Sequence, residues 1–357
     1  MTWTVDLSDR PFAPGERDVL AGDLLALGSD PSLLEVWSAT VSTASRLTRP
    51  QLLRVHDGRD LVGAAVVLVC RDYGPSFFAS PGLTRVLRAG PPIWYWERTG
   101  LGTDGHSGPG VVAPGVDRDE VAATAVRWLS RRFVVGTVVE HPGAPARPGQ
   151  LPWPGTGVST IAAADGPQPL LRAHRNLARK VRRFAARGGR VEQVDGPLPP
   201  RLLEALVRTY GVARPINPPF VELYPRMVAA HCTVASDRLV HLVAHLDGAP
   251  VGYHSWWRSG HRLSLLSGAF LRPAGGTAHA YENVLLESVS AAQRLGARLL
   301  DLGPTVNPVK VSLADQTPTE LRFVTRHAPV RAALGAALPR SRLSTRHVAG
   351  VLGHRPP

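Results

Sequence analysis

Two stretches of the sequence repeat one order of secondary structure, and this repeat constrains the possible folds more than any other feature. In the first stretch Asp57-Gly58 separates two apolar runs, and in the second Asp247-Gly248 and Ser259-Gly260 separate three. Asp-Gly between apolar runs predicts a β-hairpin, because a tight hairpin turn needs positive φ. The two stretches therefore predict one short antiparallel meander each.

Each predicted meander is followed by a helix and a buried strand. The helices begin at Asp119 and Glu282, each with acidic residues in its first turn, and the strands are RFVVGTVVEHP and ARLLDLGP. The first copy is longer by an insert from about Tyr73 to Arg118. We interpret the repeated order as an internal duplication on a mixed α/β plan.

Charged residues are distributed unevenly along the chain. The segment Pro142 to Gly157 is rich in Pro and Gly, which predicts a linker and places a domain boundary there, between residues 1–150 and 151–357. Residues 1–150 hold 15 Arg or Lys against 16 Asp or Glu, whereas residues 151–357 hold 26 against 12. A neutral half joined to a basic half indicates that the second half faces a polyanion: a phosphorylated cofactor, a nucleic acid or an acidic membrane surface.

The basic half opens with a concentrated run of cations. Residues Leu170 to Arg190 contain eight Arg or Lys and no acid. The spacing of Leu177, Val181 and Phe184 predicts one amphipathic helix from Leu170, and Gly188-Gly189 predicts its end. Two interpretations of the charged face stay open at this point. It either binds a polyanion or is the solvated face of a surface helix.

Composition also sets expectations about location and metals. The longest apolar run, Leu61 to Cys70, is too short to span a bilayer, and the N-terminus resembles no export signal. Cys70 and Cys232 predict buried thiols in a reducing compartment, and we expect a cytoplasmic protein. No Cys/His spacing indicates zinc, and we expect no metal site. GLGTDG, residues 100–105, is not followed by a helix, so it does not predict a dinucleotide site.

Three segments of the second half carry a resemblance to a known family. RNLARKVRRFAARGGRVE, HLDGAPVGYHSWWRSGHRLSLLSGAF and YENVLLESVSAAQRLGARLLDLGPTVNPVK are similar to the basic opening helix, the central meander and the helix-strand-Lys segment of the GNAT superfamily, in its tandem, Fem-like form. The resemblance covers about Leu170 to Val330, with a weaker echo over residues 50–140. It implies an α/β fold of two GNAT-like half-domains, each a mixed, mostly antiparallel sheet flanked by helices.

The resemblance also implies an activity. Members transfer an acyl or aminoacyl group to an amine, and they hold the donor pyrophosphate on a loop before a helix, where backbone N–H groups and the helix dipole favour an anion. The loop is Leu271 to Asn283 in this chain, and its cofactor-binding residues would be Arg272, Gly275, Gly276 and Thr277. We expect acyl-CoA, such as acetyl-CoA, as donor and a small-molecule amine as acceptor. Because the loop departs from the usual glycine pattern, aminoacyl-tRNA as donor is an alternative, and a non-catalytic binding protein is another.

Six further residues complete the predicted site. Tyr281 is a candidate general acid for a leaving thiolate, and His279 is a candidate base near neutral pH. Asp301 ends a buried strand beside a glycine, where a carboxylate is either catalytic or caps the next turn. Lys310 matches a family lysine and would bind a phosphate or carboxylate of the substrate. His245, together with Trp256, would line the acceptor pocket, with packing against the sheet as the alternative for both.

Overall fold

The computed structural model describes residues 3–23, 25–26, 34–43, 48–70, 91–97, 110–140, 149–154, 158–213, 218–271, 279–303 and 308–337. The chain forms two compact units. The first, here called unit 1, contains residues 1–157, 217–223 and 317–357, and unit 2 contains residues 158–216 and 224–316. The C-terminal residues thus belong to the same unit as the N-terminal ones. Within the described parts of the chain, no helix is long and apolar enough to cross a membrane.

The described elements of unit 1 run in this order: β1 (Thr4–Ser8), α1 (Pro14–Asp23), β2 (Leu25–Ala26), α2 (Leu34–Val41), β3 (Thr48–Asp57), β4 (Asp60–Cys70), β5 (Ile93–Glu97), β6 (Val111–Val112), α3 (Arg118–Arg132), β7 (Gly136–Glu140), β8 (Gln150–Pro154), then β16 (Glu320–Val324) and α10 (Ala328–Ala337) from the C-terminal region. The sheet order is β1-β3-β4-β5-β7-β16-β8, and β6 pairs with β4 and β2. β5 and β7 pair in parallel, with α3 between them in the chain.

Unit 2 has β9 (Val158–Ala162), α4 (Gln168–Ala173), α5 (Arg175–Ala185), β10 (Arg190–Asp195), α6 (Pro200–Ala213), α7 (Pro218–Cys232), β11 (Leu239–Leu246), β12 (Ala249–Ser259), β13 (Arg262–Phe270), α8 (Ala280–Arg294), β14 (Leu299–Asp301), α9 (Pro308–Leu313) and β15 (Asp315–Thr317). The first residues of α7, up to Leu223, are grouped with unit 1. The sheet order is β10-β11-β12-β13-β14-β9-β15, and β13 pairs with β14 in parallel across α8.

The duplication predicted from the sequence is confirmed by these topologies. Each unit has an antiparallel hairpin or meander, a helix, and a strand after that helix that pairs in parallel with a strand before it, β7 with β5 and β14 with β13. α3 and α8 are therefore equivalent connections in the two units. Each sheet is mixed and mostly antiparallel, as the resemblance implied.

Both faces of the unit 2 sheet are covered, which explains why its strands are almost continuously apolar. On one face Val240 and Leu242 pack against Val284 and Leu285 of α8. On the other face Val243 packs in a cluster with residues of α6 and α7. Strand residues alternate between faces, so a strand buried on both sides needs apolar residues at successive positions.

The prediction of one helix from Leu170 is wrong, because α4 and α5 are separate helices. His174 has φ −124° and ψ 81°, outside the helical region, and ends the first helix. The apolar spacing continues across this break, with Leu177 and Phe184 buried, so periodicity alone does not reveal it. The end of α5 at Ala185, shortly before Gly188 with φ 71°, agrees with the predicted stop.

The linker interpretation is wrong for Gln150–Pro154, which form β8 and pair with β16. Two prolines fit in this strand because it lies at the edge of the sheet, where an N–H can be lost without breaking an interior ladder. The predicted turns are confirmed: Gly58 has φ 60°, and Asp247 and Gly248 have φ 51° and 79°. Both cysteines are free thiols and buried.

A buried arginine fixes α1 to the sheet of unit 1. The Arg54 guanidinium donates to both Glu16 carboxylate oxygens, at 3.1 and 2.9 Å. Partial burial raises the pKa of Glu16, but the hydrogen bonds from Arg54 and from the Ala13 backbone, with the charges of Arg54 and His56, outweigh it and lower the pKa overall. The ionised carboxylate is therefore favoured in the folded state.

We expect Glu16→Gln to lower the free energy of unfolding by roughly 1 kcal/mol at pH 7, a value discounted for partial exposure. Since the folded-state pKa is lowered, this stability is present above the unfolded pKa of Glu and is lost as pH falls through the folded value. Urea unfolding at several pH values should show the two proteins converging in acid. Asp18→Asn, at an exposed position of the same helix, is the control and should match the parent throughout. A difference that persists in acid would contradict this account.

Candidate functional site

The start of α8 has an unusual backbone. His279, the residue before the helix, lies in the left-handed region with φ 57° and ψ 33°, and its side chain does not cap the helix. Its carbonyl instead accepts from the backbone and side-chain nitrogens of Asn283, at 3.2 and 2.8 Å. The first N–H groups of α8 therefore receive no side-chain cap from the residue that precedes the helix. These donors and the positive end of the helix dipole favour an anion.

Cations of α5 and of the residues just after it act on His279 at this helix start. The Lys180 ammonium donates to Glu282 Oε1, in the first turn of α8, at 2.6 Å. The pKa of His279 is lowered by partial burial, raised by the charge of Glu282, and lowered further by Lys180, Arg183 and Arg187. The net effect is a lowered pKa, which keeps the imidazole neutral at pH 7. The region is therefore electropositive apart from one carboxylate that Lys180 already neutralises.

The equivalent helix of unit 1 begins differently. Asp117 caps α3, and its carboxylate accepts from the N–H groups of Asp119 and Glu120 at 2.8 and 3.3 Å. Asp119 and Glu120 add two more carboxylates to the first turn. An incoming anion would find these two N–H groups occupied and three negative charges around them. The start of α3 is thus unsuited to a phosphate group.

An aromatic cluster lies between α8 and the sheet below it. The Tyr281 ring packs edge to face on His254 and Phe270, with centroid distances of 5.5 and 5.0 Å. His254 also packs edge to face on Trp256. Tyr281 is half-buried, so this cluster joins the core to the candidate site at the start of α8.

Trp256 is wholly buried in the cluster of residues that packs against α8. Its indole N–H has no hydrogen-bond partner among the described residues. Trp257, the next residue, is also wholly buried. Both tryptophans therefore belong to the interior, which fits the packing alternative for Trp256.

Asp301 and Lys310 are both buried, and each contacts the segment between them. Asp301 Oδ1 accepts from the Gly303 N–H at 3.0 Å, and Oδ2 lies 3.8 Å from Arg262 Nη1. The Lys310 ammonium donates to the carbonyl of Leu302. These contacts fit the turn-capping alternative for Asp301 and a structural tie for Lys310. Their roles in catalysis and substrate binding stay predictions.

His245 lies on the face of the sheet away from α8. Its Nε2 is 3.2 Å from Glu192 Oε2 on β10. The neighbours of Glu192 in sequence, Val191 and Gln193, face α8, because Val191 packs in the core beneath it and Arg294 of α8 binds Gln193. Glu192 and His245 therefore lie on the opposite side from Tyr281 and Trp256. The structure does not bring His245 together with the other predicted site residues.

A second buried histidine, His241, forms a pair with Ser255 that resembles an activated nucleophile. His241 Nε2 lies 3.1 Å from the Gly196 carbonyl and therefore carries the proton, so Nδ1 accepts from the Ser255 hydroxyl at 2.8 Å. Ser255 Oγ lies 3.4 Å from Cys232 Sγ. Burial lowers the pKa of His241 to about 4 and raises that of Cys232 to about 12. Both groups are neutral and wholly enclosed, which indicates a structural network rather than a nucleophile.

The predicted donor loop cannot be placed in the same way. Arg272, Gly275, Gly276 and Thr277 lie outside the described residues. Sequence reasoning located His279 and Tyr281 but missed His254, Phe270 and Glu282. One signal was available: Gly252 and Gly268 stand within apolar strands, and a strand glycine often marks a close approach of other atoms.

Known proteins resemble this chain in sequence or in fold. The model of the GNAT acetyltransferase domain matches residues 172–311. FemX is 12% identical, covers 94% of this chain and 100% of its own, and superposes with a TM-score of 0.52. L-PGS from Bacillus licheniformis is 10% identical, with coverage of 92% and 98% and a TM-score of 0.50. A conserved protein of unknown function from Bacteroides thetaiotaomicron is 10% identical, with coverage of 90% and 100% and a TM-score of 0.54. No curated protein matches the chain by sequence.

Proposed function

From the match of residues 172–311 to the GNAT acetyltransferase domain and the tandem, Fem-like GNAT fold of the whole chain, we propose that the protein is an N-acyltransferase. It would transfer an acyl group from acyl-CoA to an amine of a small molecule. Donor binding and chemistry would both lie in unit 2, at the start of α8. Unit 1 would keep the architecture without a donor site.

The contrast between the two equivalent helices carries this proposal. The residue before α8 does not cap the first N–H groups of that helix, and Lys180, Arg183 and Arg187 are close enough to shift the pKa of His279. α3 begins with three carboxylates, one of which occupies two N–H groups. Only the first arrangement fits a pyrophosphate, because phosphate oxygens need N–H donors and positive charge. Lys180, Arg183 and Arg187 are the residues that we expect to hold it.

The residues at the start of α8 also suit the chemistry of amide formation. The neutral imidazole of His279 would accept a proton from the amine as its nitrogen attacks the thioester carbonyl carbon. The Tyr281 hydroxyl would donate a proton to the sulfur as the C–S bond breaks. One proton leaves nitrogen and one reaches sulfur, and solvent restores both side chains. Positioning of the amine would supply the remaining rate enhancement.

Aminoacyl-tRNA remains a second candidate donor because of the exposed face of α4 and α5. Arg172, Arg175, Arg179 and Arg182 are all exposed, and within the described residues none of their guanidinium groups forms an ion pair or hydrogen bond. A row of uncompensated arginines is the electrostatic pattern of a polyanion surface. The same face is compatible with acyl-CoA use if it is only solvated.

Two measurements separate these donors. Thiol release from acetyl-CoA in the presence of mixed small primary amines tests the first donor, and binding of unfractionated aminoacyl-tRNA at 50 and 200 mM salt tests the second. Six or more phosphate contacts would weaken tRNA binding by about 1000-fold or more over that range. Arg175→Glu/Arg179→Glu/Arg182→Glu should abolish tRNA binding and leave acetyl-CoA turnover intact. Binding of acetyl-CoA with no turnover of any amine would favour a non-catalytic protein.

The charges around His279 predict two opposite pKa shifts. Arg183→Gln removes a cation that lowers the pKa of His279, so the pKa should rise. Glu282→Gln removes the carboxylate that raises it and frees Lys180, so the pKa should fall. Proton NMR of the His279 imidazole, assigned with His279→Gln, measures both without any substrate. Shifts in the same direction, or none, would contradict the described electrostatics.

The same pKa shifts should appear in the pH dependence of kcat/KM if His279 is the base. The acidic limb of kcat/KM should then follow the NMR value, moving to higher pH in Arg183→Gln and to lower pH in Glu282→Gln. Arg179→Gln, on an exposed side chain of the same helix that does not act on His279, is the control. If the acidic limb of kcat/KM stays fixed while the pKa measured by NMR moves, His279 is not the catalytic base.

A further inference from the structure

Glu282 is an acid in an unusual setting at the start of α8. Its side chain is only 10% exposed, although a carboxylate is costly to bury without a partner. Glu282 is the third residue of the helix, where a glutamate often accepts from the backbone N–H of the residue before the helix. Within the described residues its carboxylate instead has one hydrogen-bond partner, the Lys180 ammonium, at 2.6 Å. The carboxylate therefore serves α5 and not the start of its own helix.

The Lys180 ammonium is only partly used by this ion pair. A lysine ammonium carries three N–H groups, and in the part of the chain that the structure describes Lys180 uses one of them, toward Glu282. The Lys180 side chain is 33% exposed, so solvent and ligands reach it. Two N–H groups of Lys180 can therefore donate to a bound ligand while the ion pair with Glu282 is kept.

The residue type at position 180 fits such shared donation. Of the 41 Lys or Arg residues in the chain, only Lys180 and Lys310 are lysines. An arginine presents its donors as a rigid planar fork that matches one carboxylate, whereas a lysine is a compact charge with three rotatable donors. A lysine is therefore the better residue for binding a carboxylate and a phosphate at the same time.

The position of Glu282 also needs an explanation. Lys180, Arg183 and Arg187 all act on His279 at the start of α8, where we expect the donor phosphates. A carboxylate at this place repels phosphates, so by itself it weakens donor binding. Holding a cation in place offsets that repulsion, because a long side chain that is already ordered loses less entropy when the ligand binds.

We propose that Glu282 is a positioning residue that holds the Lys180 ammonium at the start of α8 for contact with the donor phosphates, an inference that rests on the proposed function. Lys180 keeps its hydrogen bond to Glu282 and adds a phosphate oxygen as a second acceptor when the donor binds. Glu282 itself contacts no donor atom. Its contribution is to donor affinity, and it acts through Lys180 alone.

A double-mutant cycle with Glu282→Gln and Lys180→Met, measured as the Kd of acetyl-CoA by titration calorimetry, tests the proposal. Glu282→Gln should weaken binding about fivefold, within the usual cost of ordering one long side chain, although it removes a negative charge. Lys180→Met should weaken binding about tenfold or more. In the Lys180→Met background, Glu282→Gln should strengthen binding, because only the repulsion of the carboxylate is left to remove.

The sign of the effect of Glu282→Gln decides the outcome. A purely structural tie between α5 and α8 would lower the melting temperature in Glu282→Gln and leave the affinity for acetyl-CoA unchanged or raised. That result would overturn the proposal, and so would an equal loss of affinity in the parent and in Lys180→Met.

A control variant and a second ligand complete the test. Glu287 of α8 pairs with Arg294 at 2.8 Å, so Glu287→Gln removes a carboxylate from another ion pair of the same helix and should match the parent in affinity. The same cycle with inorganic pyrophosphate separates this inference from the proposed function. If pyrophosphate shows the reversal of sign and acetyl-CoA does not bind, the positioning role stands and the proposed function is refuted. If the parent binds neither ligand, both are refuted.

Discussion

Reversing Arg183 and Arg187 should weaken acetyl-CoA binding by about 100-fold or more. Arg183 and Arg187 both lower the pKa of His279, so both act at the place where we expect the donor phosphates. Each hydrogen bond to a charged group contributes roughly 1.5–3 kcal/mol, and 1.4 kcal/mol is a factor of ten. In Arg183→Glu/Arg187→Glu two such contacts are lost and two repulsive charges replace them. Titration calorimetry with acetyl-CoA measures the change.

A matched reversal in unit 1 shows whether the effect is local. Arg131 and Arg132 are exposed arginines in the last turn of α3, so Arg131→Glu/Arg132→Glu changes the net charge by the same amount. We expect donor affinity in this control to match that of the parent protein. Equal losses in both variants would mean that the basic charge acts only at long range. If neither variant loses affinity for acetyl-CoA, the donor phosphates do not bind at the start of α8.

Gly136→Ala should destabilise unit 1 by at least about 3 kcal/mol, the upper part of the range for overpacking a core. A Cβ at this position would lie 1.8 Å from Cε2 of Trp94 and 2.2 Å from its Nε1. Trp94 is wholly buried and pairs with Gly136 in the parallel strands β5 and β7, so neither side can move away cheaply. Chemical unfolding followed by circular dichroism measures the loss.

Gly335→Ala is the matched control for that variant. Gly335 lies in α10, where an added Cβ would meet no atom within 4 Å. Alanine should be neutral there or stabilise by roughly 0.5–1 kcal/mol, because it is the better helix former. If Gly136→Ala were as stable as Gly335→Ala, the packing of Trp94 on the strand would be refuted.

The local part of the fold could be predicted from the sequence. The Asp-Gly turns located the hairpins because positive φ at Gly58, Asp247 and Gly248 is a local requirement that few residue types meet. The strands that complete each sheet were not predictable in this way. β9 pairs with β14 and β16 pairs with β7, across separations of more than 130 residues, and no local pattern encodes such a pairing.

The candidate site was predictable where it depended on a helix terminus. His279 and Tyr281 stand at the start of α8, which the acidic first turn and the apolar spacing located. The sequence did not predict which strand residues lie on which face of the sheet. Most positions of β11 and β12 are apolar or aromatic and both faces of the sheet are covered, so the sequence did not separate His245 from Trp256. The contacts of His254 and Phe270 with Tyr281 were missed because they depend on glycines in two different strands.

Hydrogen–deuterium exchange with and without acetyl-CoA tests the central claim most directly, because it locates the donor on one of two equivalent helices. We predict that saturating acetyl-CoA slows exchange at the amides of residues 280–285, at the start of α8, and leaves residues 118–123, at the start of α3, unchanged. Protection at α3, or no protection at α8 in a protein that binds acetyl-CoA, would contradict the assignment of the donor site to unit 2.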